Sequence, residues 1–138
     1  MMAKDKFHDV VKNALIKEGW TITNDPLFIQ FGGVDLYVDL GAEKMLAAQK
    51  DNEKIAVEIK IFLGDSTISD FHQALGQLLN YRLILRRQEP ERILYLAVPF
   101  DIYESFFKLE FTQIAIIDYQ LKIIVYNIDE EVISQWIN

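Results

Sequence analysis

Apolar positions first recur with helical spacing. Phe7, Val10, Val11, Ala14 and Leu15 repeat every three or four residues, and Gly19 follows as a left-handed stop, which predicts an amphipathic helix over residues 4–18. Trp20-Thr21-Ile22-Thr23 then alternates as a short strand does, Asn24-Asp25-Pro26 breaks the chain, residues 27–31 resume strand character, and Gly32-Gly33 turns it again. Residues 37–62 admit two readings. One is a hairpin with arms 45–48 and 55–62 around Lys50-Asp51-Asn52-Glu53; the other is a short helix over residues 42–50 feeding the same second strand. The hairpin is the favoured one. Ser66, Thr67 or Ser69 next caps a long helix with the stripe Phe71, Ala74, Leu75, Leu78, Leu79 and the stem of Arg82, ending near Arg87. Residues 93–98 form an almost wholly apolar run, as expected of a strand covered on both faces, and residues 100–108 suit a helix. Residues 114–117 and 122–126 read as a terminal hairpin, and residues 130–137 as a last helix whose first turn is the acidic Asp129-Glu130-Glu131. The order α-β-β-β-α-β-α-β-β-α predicts an α/β or α+β fold, a central mixed sheet flanked by helices. At 138 residues, against about 100 to 200 for a typical domain, a single domain over 1–138 is expected.

Composition narrows the class of protein. Hydrophobic residues make up 51% and charged residues 25% of the chain, enough for a buried core and too apolar for disorder. No run approaches the ~18 apolar residues of a membrane helix, and Met1-Met2-Ala3-Lys4-Asp5 leads into a polar helix start, so a soluble, cytoplasmic protein without membrane association is expected. With no cysteine there is no thiolate nucleophile and no zinc ribbon. His8 and His72 are the only imidazoles, so any metal site must be built mainly from oxygen. The net charge of −7 argues against a surface that grips phosphate backbone everywhere. From Asp101 onward seven acids face two lysines, which leaves the first hundred residues nearly balanced and a local nucleic-acid face open.

Candidate chemistry centres on the strand over residues 55–62. Period two puts Val57, Ile59 and Ile61 on one face and Ala56, Glu58, Lys60 and Phe62 on the other. A carboxylate and an ammonium on a covered face are costly unless paired or bound to metal, whereas on an open face they form an ordinary surface pair. Asp39 lies 19 positions before Glu58, where a hairpin returns it beside that residue. Two neighbouring carboxylates repel unless a hard cation lies between them; Mg²⁺, or Mn²⁺ in its place, suits such a site, with the Ile59 carbonyl as a further oxygen. Lys60 would then orient the attacking water or stabilise a scissile phosphate. On the following helix Gln73, Gln77 and Tyr81 recur every fourth residue along one flank, either as a polar ridge over the site or as a flank facing solvent.

Asp39, Glu58-x-Lys60 and Gln77-x-x-x-Tyr81, following an N-terminal helix, resemble the restriction-endonuclease-like, or PD-(D/E)xK, nuclease superfamily, whose core order is αβββαβ. A more specific resemblance runs along nearly the whole chain. Lys4-Asp5-x-Phe7-His8, Lys17-Glu18-Gly19-Trp20-Thr21-Ile22-Thr23, Asp25-Pro26-Leu27, Asp39-Leu40-Gly41-Ala42-Glu43, Ile55-Ala56-Val57-Glu58-Ile59-Lys60 and Leu94-Tyr95-Leu96-Ala97-Val98-Pro99 resemble the XisH family, the excision controlling factor of the fdxN DNA element. The resemblance implies a role in programmed excision of a DNA element by a site-specific recombinase, alongside a companion controlling factor, XisI. It also implies Asp39 and Glu58 as metal ligands, Lys60 as a catalytic residue and Gln77 in the superfamily's helix position. Two departures stand out: Val38 replaces the usual proline before the aspartate, and His8, with Asp5 and Asp9 nearby, stands where many relatives carry a glutamate on the first helix. His8 is either a boundary core residue or the absent glutamate's substitute. Asp35 is the alternative acid, ranked second because it follows the Gly32-Gly33 turn and leaves a longer connection to Glu58.

Arg82, Arg86, Arg87 and Arg92 form the one basic cluster, either a helix end opposing its own dipole or a set of phosphate contacts. Trp136 and Ile137 cover a partner or the core. Three functions stay in play: Mg²⁺-dependent DNA hydrolysis, a non-catalytic factor that binds a recombinase or companion protein, and an unrelated domain in which Glu58 and Lys60 merely pair. DNA is an expected partner of the first, and a homo-oligomer is left open.

Overall fold

The computed structural model describes residues 3–45 and 52–138. Its elements are α1 (Ala3–Lys17), β1 (Thr21–Asn24), β2 (Leu27–Phe31), β3 (Val34–Val38), β4 (Leu40–Met45), β5 (Asn52–Ile59), α2 (Thr67–Gln88), β6 (Arg92–Pro99), α3 (Phe100–Ser105), a single 3₁₀ turn (Phe106–Lys108), α4 (Glu110–Asp118), β7 (Ile123–Asn127) and β8 (Val132–Ile137). Six strands form one mixed sheet in the order β1-β4-β5-β6-β7-β8. β5 runs parallel to β6 and β6 to β7, and the outer pairs are antiparallel. β2 and β3 make a separate hairpin whose turn, Gly32 at φ +60° and Gly33 at φ +87°, needs two left-handed residues in succession.

Helix α1 starts and stops as its sequence dictates. Val10, Val11, Ala14 and Leu15 are buried, and the helix closes with the Gly19 amide on the Ile16 carbonyl and the Trp20 amide on the Leu15 carbonyl, a Schellman arrangement around Gly19 at φ +92°. Its apolar stripe joins Trp20, Leu40, Ala42, Ile55, Val57, Tyr95, Ala97, Ile124 and Tyr126 in the core on one side of the sheet. The other side is covered by α2, α3 and α4 over Leu96, Val98, Ile123 and Val125, and by the β2–β3 hairpin, which wedges Leu27, Ile29 and Val38 against Ala56, Tyr81 and Leu85. Ser66 caps α2, its hydroxyl accepting from the Ser69 amide.

The observed order, α-β-β-β-β-β-α-β-α-α-β-β apart from the 3₁₀ turn, differs from the predicted one: five strands rather than three precede α2, β3 among them, and the chain ends helix-strand-strand rather than strand-strand-helix. The central hairpin exists, but its described arms are β4 and β5. Residues 42–45 are therefore strand and not the start of a helix, while the rest of the 45–48 arm and Lys50-Asp51 lie outside the described residues. The second arm ends at Ile59 rather than at residue 62: Phe62 sits at φ +61°, which carries its ring out of the ladder and into the α2 core. The expected strand over residues 114–117 belongs to α4, where Ala115 and Ile116 are buried and Ile114 and Ile117 exposed, a one-sided burial that a helix gives. The expected last helix over residues 130–137 is strand β8, antiparallel to β7. Asp129-Glu130-Glu131 lies in the turn before it, with Asn127 Oδ1 accepting from the Glu130 amide and Glu131 at φ +53°. Trp136 covers the core, 5.9 Å from the Trp20 ring and 5.1 Å from Tyr95. Among the described residues no helix is long and apolar enough to cross a membrane.

Candidate active site

The register of the central hairpin builds the site. Leu40 faces Val57, so the next residue outward on each strand, Asp39 and Glu58, come face to face. The Asp39 amide donates to Glu58 Oε1 at 3.3 Å, and the Ile59 amide donates to Asp39 Oδ2 at 2.8 Å. Period two turns Glu58 to the same side as Ala56, toward α2, where it is 9% exposed. Beyond the strand the Lys60 amide takes one more bond, to the Ala97 carbonyl at 3.0 Å, and the Lys60 ammonium donates to Gln73 Oε1 on α2 at 2.8 Å.

These groups line a cleft of about 350 Å³ at the carboxyl end of β5, roofed by the first half of α2. Asp39, Glu58, Lys60, Gln73 and Gln77 all contribute. Tyr81 lies deeper on the same helix flank, and burial, then the charges of Glu58 and Asp39, push its phenol up to about 12. Asp70 also lines the cleft, although the sequence reading did not single it out. Its Oδ2 accepts from the Gly64 amide at 3.0 Å, an approach open only because Gly64 lacks a Cβ, which would meet the carboxylate at 2.8 Å. The available signal was its place in the first turn of α2, directly after the Glu58-x-Lys60 strand.

Two other candidates lie elsewhere. His8 on α1 meets Asp25 through Nε2 at 2.8 Å, beside Lys12 at 3.0 Å. Burial works to raise the Asp25 pKa, but the hydrogen bonds and charges of Lys12 and His8 outweigh it and hold the carboxyl below its ordinary value. Asp35 is out on the β2–β3 hairpin, accepting from Gln30 Nε2 at 2.8 Å. Neither lines the cleft.

The carboxylates that line the cleft, Asp39, Glu58 and Asp70, are oxygen donors of the kind a hard cation would take, with Ile59 beside them. Among the described residues no three His, Asp or Glu side chains gather to hold an ion by themselves, so bound cation would complete its shell with water or substrate oxygen, as Mg²⁺ commonly does. The Tyr81 phenol reports the charge of the pair. In Glu58→Gln the phenol should ionise at lower pH than in the parent, and an ultraviolet difference titration of this variant with and without Tyr81→Phe isolates that group. An unchanged Tyr81 titration would separate Glu58 from it. The same shift makes Tyr81 a stabilising group below pH 10, the ordinary tyrosine value, whose contribution is lost as pH rises toward 12.

Comparison with known proteins places the chain in a family. The family profile described as XisH protein matches residues 1–134. A crystal structure of an XisH family protein from Nostoc punctiforme PCC 73102 is 54% identical and superposes with a TM-score of 0.90, covering 97% of this chain and 100% of that one. A crystal structure of an fdxN element excision controlling factor protein from Anabaena variabilis is 52% identical with a TM-score of 0.87, covering 97% of this chain and 99% of that one. No match is found among curated proteins.

Proposed function

The chain belongs to the XisH family, and from that premise we propose that it controls excision of an fdxN-type DNA element by hydrolysing DNA phosphodiester bonds with a divalent cation. The observation that carries the reading is the pairing of Asp39 with Glu58 across β4 and β5, in one cleft with Lys60 and Gln77. The order of the elements supports it. With the β2–β3 hairpin set aside as an excursion, α1-β1-β4-β5-α2-β6 follows the αβββαβ order of the restriction-endonuclease-like superfamily, with Asp39 immediately before the second of these strands, Glu58 on the third and Lys60 just past its end.

In this reading Asp39 and Glu58 would hold Mg²⁺ or Mn²⁺, which would supply Lewis-acid chemistry at the phosphate. Lys60 presents its ammonium to the phosphate or the attacking water, and Gln73 fixes the direction of that side chain. Gln77, free of charge, offers an amide for orienting water or phosphate without competing for the cation. His8 and its Asp25 partner tie α1 to the segment after β1, away from the residues that line the cleft.

A second reading has one observation behind it. The acid excess from Asp101 onward suits a basic protein partner, such as a recombinase or the companion controlling factor XisI, which a non-catalytic family member would bind. Purified protein incubated with supercoiled and branched DNA distinguishes the two. Cutting that requires Mg²⁺ or Mn²⁺ and stops with chelator supports hydrolysis; intact DNA under all conditions, with stable co-purification of a recombinase or XisI, supports the accessory role.

A further inference from the structure

A second, larger cavity of about 720 Å³ lies at the other end of α2, walled by that helix's second half, by α4, and by the amino-terminal ends of β6 and β7. The candidate active site opens at the carboxyl end of β5, so the two openings face opposite ends of the parallel strands. The volume is in the range that small organic ligands occupy.

Its lining divides by chemistry. The floor is aliphatic: Leu78, Leu85, Ile116 and Leu121 are all buried. The rim carries Arg82, Arg86 and Lys122, and among the described residues no acidic side chain lines the cavity, although the chain as a whole has seven more acids than bases. Arg82 is held in place, donating to the backbone carbonyls of Tyr119 at 2.8 Å and Gln120 at 3.2 Å at the end of α4. Arg86 is its neighbour one turn along α2. Among the described residues neither arginine nor Lys122 has an ion-pair partner. Arg92 also reaches this cavity, but its charge is committed to Glu89 at 3.1 Å and its Nη1 to the Ile55 carbonyl at 2.9 Å. Burial, and after it the charge of Arg86, depress the Arg82 pKa.

We propose that this cavity binds a small amphiphilic organic anion, its carboxylate, sulfonate or phosphate on Arg82 and Arg86 and its apolar ring or chain on the aliphatic floor. Charge complementarity selects the anion, since an acidic protein has concentrated unpaired cations at one cavity mouth. The floor selects the apolar body: a bare inorganic anion leaves it uncovered and gains nothing from it. The site is independent of the hydrolytic reading, because it shares no lining residue with the cleft.

Anilinonaphthalenesulfonate, an aromatic body with one sulfonate, is the probe. One saturable site with blue-shifted emission is expected, displaced by decanoate and not by inorganic phosphate. Arg86→Glu should weaken it at least about tenfold, the loss of one charge-assisted contact, with Arg86→Lys restoring part of it. Ile117→Asp, at an exposed lining position, should weaken it comparably. Asp39→Ala, and a Phe28→Ser/Tyr37→Ser variant that removes the exposed ring pair on the β2–β3 hairpin, should bind as the parent does. Absence of a saturable site, displacement by phosphate alone, undiminished binding in Arg86→Glu and Ile117→Asp, or loss in the hairpin variant would each overturn the proposal. Unchanged circular dichroism of the variants secures that the fold is the same in every arm.

Discussion

Glu58→Ala should abolish cation-dependent DNA cutting, lowering the rate by a factor on the order of 10³ or more, while the protein stays folded. The two effects separate because of where Glu58 sits. Its side chain is 9% exposed between Ala56 and Tyr81, so as a charge it bears a desolvation cost that alanine relieves. Against that relief stands the 3.3 Å bond it accepts from the Asp39 amide, a contact to a carboxylate whose loss costs about 1.5 to 3 kcal/mol. The loss of stability should therefore stay a small part of the ~5 to 15 kcal/mol that holds a domain together, while activity falls by orders of magnitude. Two companion variants assign the roles. Asp39→Ala should lose both cutting and the calorimetric heat of Mg²⁺ binding. Lys60→Ala should keep that heat and lose cutting, since its ammonium contacts Gln73 rather than either carboxylate. Cutting by Glu58→Ala at the parent rate would place the hydrolysis elsewhere, or in a contaminant.

The gathering of Asp39, Glu58, Lys60 and Gln77 in one cleft was legible in the sequence because it follows from the register of one hairpin. An acid 19 positions before Glu58, with strand character on both sides, returns to face it when Leu40 meets Val57, and the helix that follows must lay its Gln73-Gln77-Tyr81 flank over the same end. The candidates that went elsewhere were those without such a constraint. His8 was placed by position on α1 alone, and a histidine at the edge of a stripe takes whichever carboxylate is nearest, here Asp25. The two long helices were legible for a similar reason: each combines a stripe with a stop or cap that the structure uses, Gly19 for α1 and Ser66 for α2.

The last third of the chain was misread where the pattern carries no period. Ile114-Ala115-Ile116-Ile117 satisfies a buried strand and a one-sided helix equally, and α4 begins at Leu109 without a side-chain cap to mark it. β8 is an edge strand in which buried and exposed positions do not alternate, and a register shift between Val125 and Tyr126 on its partner removes what alternation a hairpin would show. The second cavity was invisible for the same reason: its outer wall is α4, and a strand at residues 114–117 would leave no such wall.

The packing beneath the cleft carries the largest expected loss of stability. Phe107, in the 3₁₀ turn between α3 and α4, is fully buried, and its ring lies 5.7 Å from Phe62, 5.8 Å from Phe71 and 5.9 Å from Tyr103. Phe107→Ala removes the shared member of that cluster and should cost about 3 to 5 kcal/mol, a large part of the ~5 to 15 kcal/mol that holds a domain together. The melting temperature should fall by roughly 10 °C or more. The loss has a local component too. Phe62 holds a left-handed backbone, φ +61°, at a cost of about 1 to 3 kcal/mol, and its ring is seated against Phe107. With that seat gone, the segment of residues 60–64 that lines the cleft is free to relax toward ordinary dihedrals. Amide exchange there should accelerate more than in β6, which stays covered by α1 on its other face. Phe111→Ala is the control: that ring is 56% exposed and 6.4 Å from Phe71, and its removal should cost under about 1 kcal/mol. If the two variants melt together, Phe107 is not the keystone of this core, and the left-handed turn at Phe62 is held by something other than the ring beneath it.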